Sequence, residues 1–217
     1  MFIVITGLDG SGTSSIAEYL HKIDKGSILL RTPSEEYVRE EIDKNVRDNS
    51  QVAHYLFYLS SVVYMSDYIK KNLDYKNKNV YCVRYLIDTV VSHRVAGMNV
   101  SMNYSSELYD ILKPDLSIFV DINESIRQTR ISKRGKSHLD KVLDDNEVRE
   151  QFLNEFKKNL KHENSIIVNN NSENIQYIVK ELYKNYIKGE AIWNTTIYYF
   201  LMNNLLLKKI IMKESFW

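Results

Sequence analysis

Cysteine occurs once in this chain, at position 82, so an internal disulfide is excluded and a reducing compartment is expected. Charge of one sign is also missing. A formal net charge of +1 over 217 residues gives no support to a general polyanion-binding role, so no nucleic-acid polymer is expected as a partner. Long apolar runs are scarce. Phe2–Ile5 is too short for a secretory leader, and the most apolar stretch, Ile192–Met212, is broken by Asn203, Asn204, Lys208 and Lys209. The expectation is a soluble, cytoplasmic protein with no membrane partner. His54, His93 and His138 show no metal-ligand spacing, and none of the five histidines is assigned a catalytic role. The sixteen tyrosines are scattered and form no platform for stacking bases.

What remains is an ordinary globular balance of 44% apolar and 26% charged residues, enough to bury a real core. Phe2–Thr6, Ser27–Arg31, Val80–Val83, Leu116–Asp121 and Ser165–Asn169 read as short buried strands. Pro33 stops the second, and Pro114–Asp115 leads into the fourth. Helical patterns cover Ser14–Lys22, Ser34–Arg47, Val52–Leu73 and Glu173–Lys188, and others lie between the later strands. Strands alternating with helices predict βαβ crossovers, hence a three-layer α/β domain with a five-stranded parallel sheet flanked by helices. The plausible boundary lies near Gly189, giving a domain over 1–188 and a helical extension over 189–217.

The few glycines are not evenly spread. Three fall in Gly7-Leu-Asp9-Gly10-Ser11-Gly12-Thr13-Ser14, between the first strand and the first helix. The phosphate-loop pattern G-x-x-x-x-G-K-[ST] belongs in that context. Glycines let backbone N–H groups turn around a phosphate, and the helix N-terminus adds partial positive charge. The candidate ATP phosphate contacts are Gly7, Asp9, Gly10, Ser11, Gly12, Thr13, Ser14 and Ser15, with Ser14 placed to ligate Mg2+. The lysine of the pattern is replaced by Thr13. A unit charge pair at about 4 Å is worth roughly 4 kcal/mol at an effective dielectric of 20. Its uncompensated loss would slow the chemistry on the order of a thousandfold. Another cation therefore substitutes, or the protein is a slow enzyme, or it only binds nucleotide.

With these residues in view, the chain resembles the thymidylate kinase family of nucleoside-monophosphate kinases from residue 2 to about residue 188. Besides the loop, Arg31-Thr-Pro33 is similar to the family's R-x-P segment, Leu56-Phe57 to its Leu-Phe helix motif, and Val83-Arg84-Tyr85 to its Asp-Arg-Tyr. Pro114-Asp-Leu116 with Asp121 matches the fourth-strand region, and Arg130-Ile-Ser-Lys-Arg134-Gly135 the start of the arginine-bearing lid. The resemblance implies a P-loop kinase fold, ATP and Mg2+, a homodimer through the Leu56–Phe57 helix, and transfer to a nucleoside monophosphate, dTMP first. It also implies roles. Arg84, Arg130 and Arg134 would be catalytic, whereas Asp9, Arg31, Phe57, Arg84 and Asp88 would hold the acceptor. Four positions depart from the pattern: Thr13, Val83 for the aspartate, Ser61 for an acceptor-phosphate arginine, and Ser92 for an aromatic under the deoxyribose.

Arg127, Arg130 and Arg134 share one helix face at i, i+3 and i+7. Such a stripe is usually a solvated basic face, and Arg127, without a family counterpart, is assigned to it. Phe57 has core packing as a rival to base stacking, and Asp88 and Glu36, candidate replacements for the missing acid, have a plain surface carboxylate as theirs. Cys82 reads as a buried, inert strand residue. The segment Ala191–Trp217 reads as an extra packed helix. Two rivals stay open: a kinase with another acceptor, favoured by Ser61 and Ser92, and a non-catalytic nucleotide-binding protein, favoured by Thr13 and Val83.

Overall fold

A computed structural model describes residues 1–39, 42–171 and 174–188. The chain divides into two compact units, Met1–Lys180 and Glu181–Trp217, and of the second only residues 181–188 are described. The expected boundary at Gly189 and the expected helix in Ala191–Trp217 lie outside the described residues.

Five parallel strands run in the order β2-β3-β1-β4-β5: β1 Phe2–Gly7, β2 Ile28–Arg31, β3 Val80–Val83, β4 Leu116–Asp121 and β5 Ser165–Asn169. The helices are α1 Thr13–Ile23, α2 Arg47–Asn49, α3 Gln51–Asn72, α4 Leu86–Val95, α5 Glu124–Arg134, α6 His138–Val142, α7 Asn146–Leu160 and α8 Ile175–Leu182. All five strand expectations are borne out, three of them to the residue. The central strand β1 is buried at every position, as a parallel strand covered on both faces must be, which is why it reads as an unbroken apolar run.

Strand register sorts the core. Phe2 pairs with Val80, Val4 with Cys82 and Ser117, and Thr6 with Phe119, so these residues share one face. On that face Leu59, Val62, Met65 and Ile69 of α3 pack over Phe2, Val4, Val80 and Cys82. Phe152, Phe156 and Leu160 of α7 pack over Phe119 with Ile87 and Val91 of α4. Cys82 is buried as expected, and burial pushes its thiol up to about 12. Helix ends follow local chemistry: the Ser50 side chain accepts from the Ala53 N–H at 3.1 Å, and Asp145 caps α7 in the same way.

One expectation fails. Ser34–Arg47 is not one helix; Ser34–Arg39 is turns and irregular chain, followed by a π-helical turn over Ile42–Val46 and the short α2. Among the apolar residues here, Val38 lies 70% exposed and no residue of either short element is buried. Without an apolar stripe to dock, a helix this short has little to hold it. The chain order β3, then β4 across β1, makes the carboxyl ends of the central strands a topological switch point, where α1 and α4 diverge and leave a crevice.

The Phe119 ring is fully buried with its centroid 5.2 Å from that of Phe156. Phe119→Ala is expected to lose ~3–5 kcal/mol of stability by chemical denaturation. A loss below ~1 kcal/mol would show that Phe119 and Phe156 do not form a closely packed layer.

Candidate active site

β1 delivers the chain to the crevice, and the loop 7–12 turns it into α1. The Ser11 N–H closes a turn on the Leu8 carbonyl at 3.1 Å. Gly12 is the N-cap of α1 in the left-handed region, φ +97°, and a Cβ there would run into the Asn170 amide. No side chain caps α1 and no acidic residue lies in its first turn, among the described residues. The first N–H groups of this eleven-residue helix therefore face the crevice with the positive end of the helix dipole, an anion cradle built of backbone.

The outer side of the loop is held by three side chains. Arg127 is fully buried, which corrects its assignment to a solvated face. Its Nη1 donates to the Asp9 carbonyl at 3.1 Å, its Nη2 to the Leu143 carbonyl at 3.3 Å, and its Nε to Glu124 at 2.6 Å. The desolvation of this cation is offset by Glu124, whose carboxyl is held below the usual range by the hydrogen bonds of Arg127 and Gln128 although burial works the other way. Asn170, also fully buried, donates from Nδ2 to the Ser11 carbonyl at 2.7 Å. Arg130 donates to the same carbonyl at 3.3 Å and to the Asn170 carbonyl at 3.0 Å.

Arg84 follows β3 with φ +66°, costly for a residue with a Cβ, on the order of 1 kcal/mol. That conformation turns its guanidinium across the strand ends. One end bonds Asp9 of the loop and the other Asp88 of α4 at 3.1 Å. Asp88 is itself fixed by the Thr6 hydroxyl at 2.7 Å and the Tyr85 N–H at 3.0 Å. Burial disfavours the Arg84 charge, but the two carboxylates outweigh it and raise its pKa. Burial pushes the Asp88 carboxyl up, against Arg84 and Thr6. Asp88 is thus no surface carboxylate.

Beside the loop lies a cleft of about 680 Å3, lined by Ser14, Arg31, Tyr37, Arg39, Tyr64 and Val83 among others. Arg31 donates to the Ser14 hydroxyl at 2.9 Å, so the two meet where the loop opens into the cleft. Phe57 is half-buried, edge-on to Tyr37 at 5.4 Å. The structure does not bring Arg134 to the loop. Its guanidinium holds the fully buried Asp140 at 2.9 Å through both carboxylate oxygens. Thr13 is buried, and Ser15 is exposed on α1. Among the described residues no group of three or more His, Cys, Asp and Glu side chains is arranged to hold a metal. One hydroxyl, Ser14, suits an ion that arrives already bound to phosphates.

A family model described as Thymidylate kinase matches residues 5–182, most of the chain. The chain belongs to the thymidylate kinase family. It is 28% identical over 192 residues to a thymidylate kinase of Mycoplasma capricolum, covering 82% of this chain and 86% of that one. It is 30% identical over 176 residues to one of Mycoplasmoides gallisepticum, covering 74% and 83%. The fold matches a thymidylate kinase of Candida albicans with TM-score 0.63 at 17% identity, over 84% of this chain and 89% of that one. It also matches a deoxyadenosine kinase of M. mycoides with TM-score 0.64 at 18% identity, over 85% and 98%. Thymidylate kinase family membership makes the chain a phosphotransferase that phosphorylates nucleotides.

Two loop-bracing residues escaped sequence reading. Arg127 could have been found from its pairing with Glu124 at i−3 and its place one turn before the buried Ile131. Asn170 sits in Asn169-Asn-Asn171, and nothing in that run distinguishes it. Replacing Arg127 leaves the Asp9 carbonyl without its donor, while the Leu143 carbonyl keeps Arg149 at 3.1 Å, so Arg127→Leu is expected to cost ~3 kcal/mol of stability and to weaken nucleotide binding. Thermal denaturation with and without ATP checks both; an unchanged melting temperature would mean that the brace is not needed.

Proposed function

We propose that this chain transfers the γ-phosphoryl group of ATP, taken as its Mg2+ complex, to dTMP, giving dTDP and ADP. The observation that carries this is Arg84, a cation fixed between Asp9 of the loop and Asp88 of α4 and next in sequence to Val83, which lines the cleft. In this reading the loop N–H groups of Gly7–Ser15, with Asp9 in the turn, hold the ATP phosphates. Ser14 Oγ would hold Mg2+, which would offset charge on the ATP phosphates. The acceptor lies in the cleft against Arg31 and Phe57, with Asp9 and Asp88 orienting Arg84. An oxygen of the acceptor phosphate attacks the γ-phosphorus, and the bond to the bridging oxygen breaks with its electron pair leaving on ADP. The attacking oxygen is already anionic near neutral pH, so positioning and charge neutralisation carry the step rather than a general base. Arg84 bridges donor and acceptor phosphates, and Arg130, anchored on the loop, lies beside the donor. Arg134 would join the γ-phosphate only by exchanging Asp140 for it.

The departures from the family pattern shape the rest. Asp88, hydrogen-bonded by Thr6, takes over the acid lost at Val83. The Ser61 hydroxyl is turned back onto the Tyr58 carbonyl at 2.7 Å and the Ser92 hydroxyl onto that of Thr89 at 3.1 Å, so neither supplies charge to an acceptor. These two favour a second reading, a kinase for a different nucleoside monophosphate on the same site. The domain over 1–188 would carry the reaction in the cytoplasm. A homodimer would form through α3, where Val52, Leu56, Tyr64 and Tyr68 are exposed.

Arg84→Lys keeps the charge but not the fork, and Arg84→Ala removes both. Steady-state kinetics is expected to show kcat lowered in both and by about a thousandfold in Arg84→Ala, with ATP affinity by calorimetry changed far less. An unchanged rate in Arg84→Ala would refute the role. Thr13→Lys is expected to raise kcat or to tighten ATP; if it does neither, another cation already stands where that lysine would. With Ser92 in place of an aromatic, UMP should compete with dTMP better than in thymidylate kinases that keep the ring, and strict deoxyribose selectivity would contradict this.

A further inference from the structure

A hydrogen-bonded chain of titratable groups lies beside this site and takes no part in the step above. The His54 Nε2 meets Asp43 Oδ1 at 3.1 Å. Its Nδ1 meets His93 Nε2 at 2.8 Å, and His93 Nδ1 meets the Thr89 carbonyl at 2.7 Å. The Tyr58 hydroxyl adds a bond to Asp43 Oδ1 at 2.7 Å.

Proton counting fixes the charge of this chain. A carbonyl only accepts, so His93 Nδ1 carries a proton and, with the ring neutral, its Nε2 accepts. His54 Nδ1 must then donate. The bond to the Asp43 carboxylate needs a second proton on His54 Nε2. With His93 neutral and Asp43 ionised, all three bonds exist together only if His54 is an imidazolium. Burial favours a neutral His93, which leaves the charge on His54. Asp43 agrees: burial would raise its carboxyl, but the hydrogen bonds of His54 and Tyr58 and the charges of His54 and Arg39 hold it below the usual range.

The chain joins three parts of the fold. Asp43 lies in the π-helical turn and its N–H donates to the Arg39 carbonyl at 2.8 Å. Arg39 and Tyr37 line the cleft. Asp43 faces the His54 ring from this segment with the Arg39 charge acting on it, Tyr58 and Tyr55 flank the pair from α3, and His93 faces it from α4. No residue of the short helical elements is buried, so the segment is tied to α3 by the Tyr37 ring on Phe57 and Tyr64 and by the Asp43 bonds to His54 and Tyr58, and to α4 through His93.

We propose that His54 is a positioning residue for the acceptor side of the cleft: charged, it ties Asp43 to His93 and fixes Tyr37 and Arg39 where an anionic acceptor docks. This rests on the nucleotide kinase reading for the identity of the acceptor. The sign follows from the pair. The tie needs the Asp43 carboxylate, which is held below the usual range, so it is lost as pH falls through that lowered range.

Nitrogen NMR of the histidine rings in the full chain tests the charge without any turnover. At pH 7 both His54 ring nitrogens should be protonated and His93 should be the Nδ1–H tautomer. In Asp43→Asn at the same pH His54 should be neutral. Kinetics and calorimetry with dTMP then test the role. In Asp43→Asn, KM and Kd for dTMP should rise about tenfold while kcat stays within about twofold. His54→Gln, which cannot carry the charge, should match Asp43→Asn. A neutral His54 at pH 7 in the wild type, or an unchanged dTMP Kd in both variants, would overturn the proposal. If ADP is never released with any monophosphate, the kinase reading fails, yet the ring charge and the Kd of dTMP still decide the role of His54.

Discussion

Every N–H that the phosphate loop turns inward leaves a carbonyl turned outward, and a buried carbonyl must find a donor. The rest of the site depends on that requirement being met. The Asp9 carbonyl takes Arg127, the Ser11 carbonyl takes Asn170 and Arg130, and the Gly12 carbonyl takes the Ile16 N–H of α1. The braces come from α5 and from the residue after β5, elements far apart in sequence. The anion cradle is therefore a property of the folded domain rather than of the glycine run alone. Donors already aimed would need little reorganisation to take an anion, which is what the proposed phosphate binding requires.

Arg84 adds the second constraint. Its positive φ places a guanidinium over the strand ends, and Asp9 and Asp88 hold it there. Two carboxylates around one guanidinium keep it charged and oriented in a half-enclosed site, at the cost of competing with phosphate for its donors. Asp9 belongs to both networks, with its carbonyl on Arg127 and its carboxylate on Arg84, so the loop and the arginine are mechanically linked.

The layered fold and the loop could be read from sequence because each rests on local pattern. Apolar runs such as Val80–Val83 need no distant partner to be recognised, and the glycine spacing between β1 and α1 is its own signature. Arg84 was legible from the family likeness, whereas Asp88 read as a candidate acid with a surface carboxylate as its rival, and only its bonds to Thr6, Tyr85 and Arg84 show it buried in the network. What was not legible depended on tertiary partners. Arg127 carries the same charge as Arg130 and Arg134, and only Glu124 with the outward carbonyls makes it a buried brace. Arg134 matches the lid pattern, yet Asp140 six residues on claims its guanidinium. Ser34–Arg47 was misread as one helix because its composition suits one, while the folded core offers it no surface to pack on.

In the proposed function a braced backbone loop and Arg84 together would carry phosphoryl transfer although the loop has no lysine. Incubation of the protein with γ-labelled ATP, Mg2+ and dTMP, followed by separation of the nucleotides, tests it most directly. The label is predicted to appear in dTDP with matching release of ADP, and with no transfer when dTMP is omitted. Tight ATP binding with all label remaining in ATP, for dTMP and for every other nucleoside monophosphate offered, would contradict it.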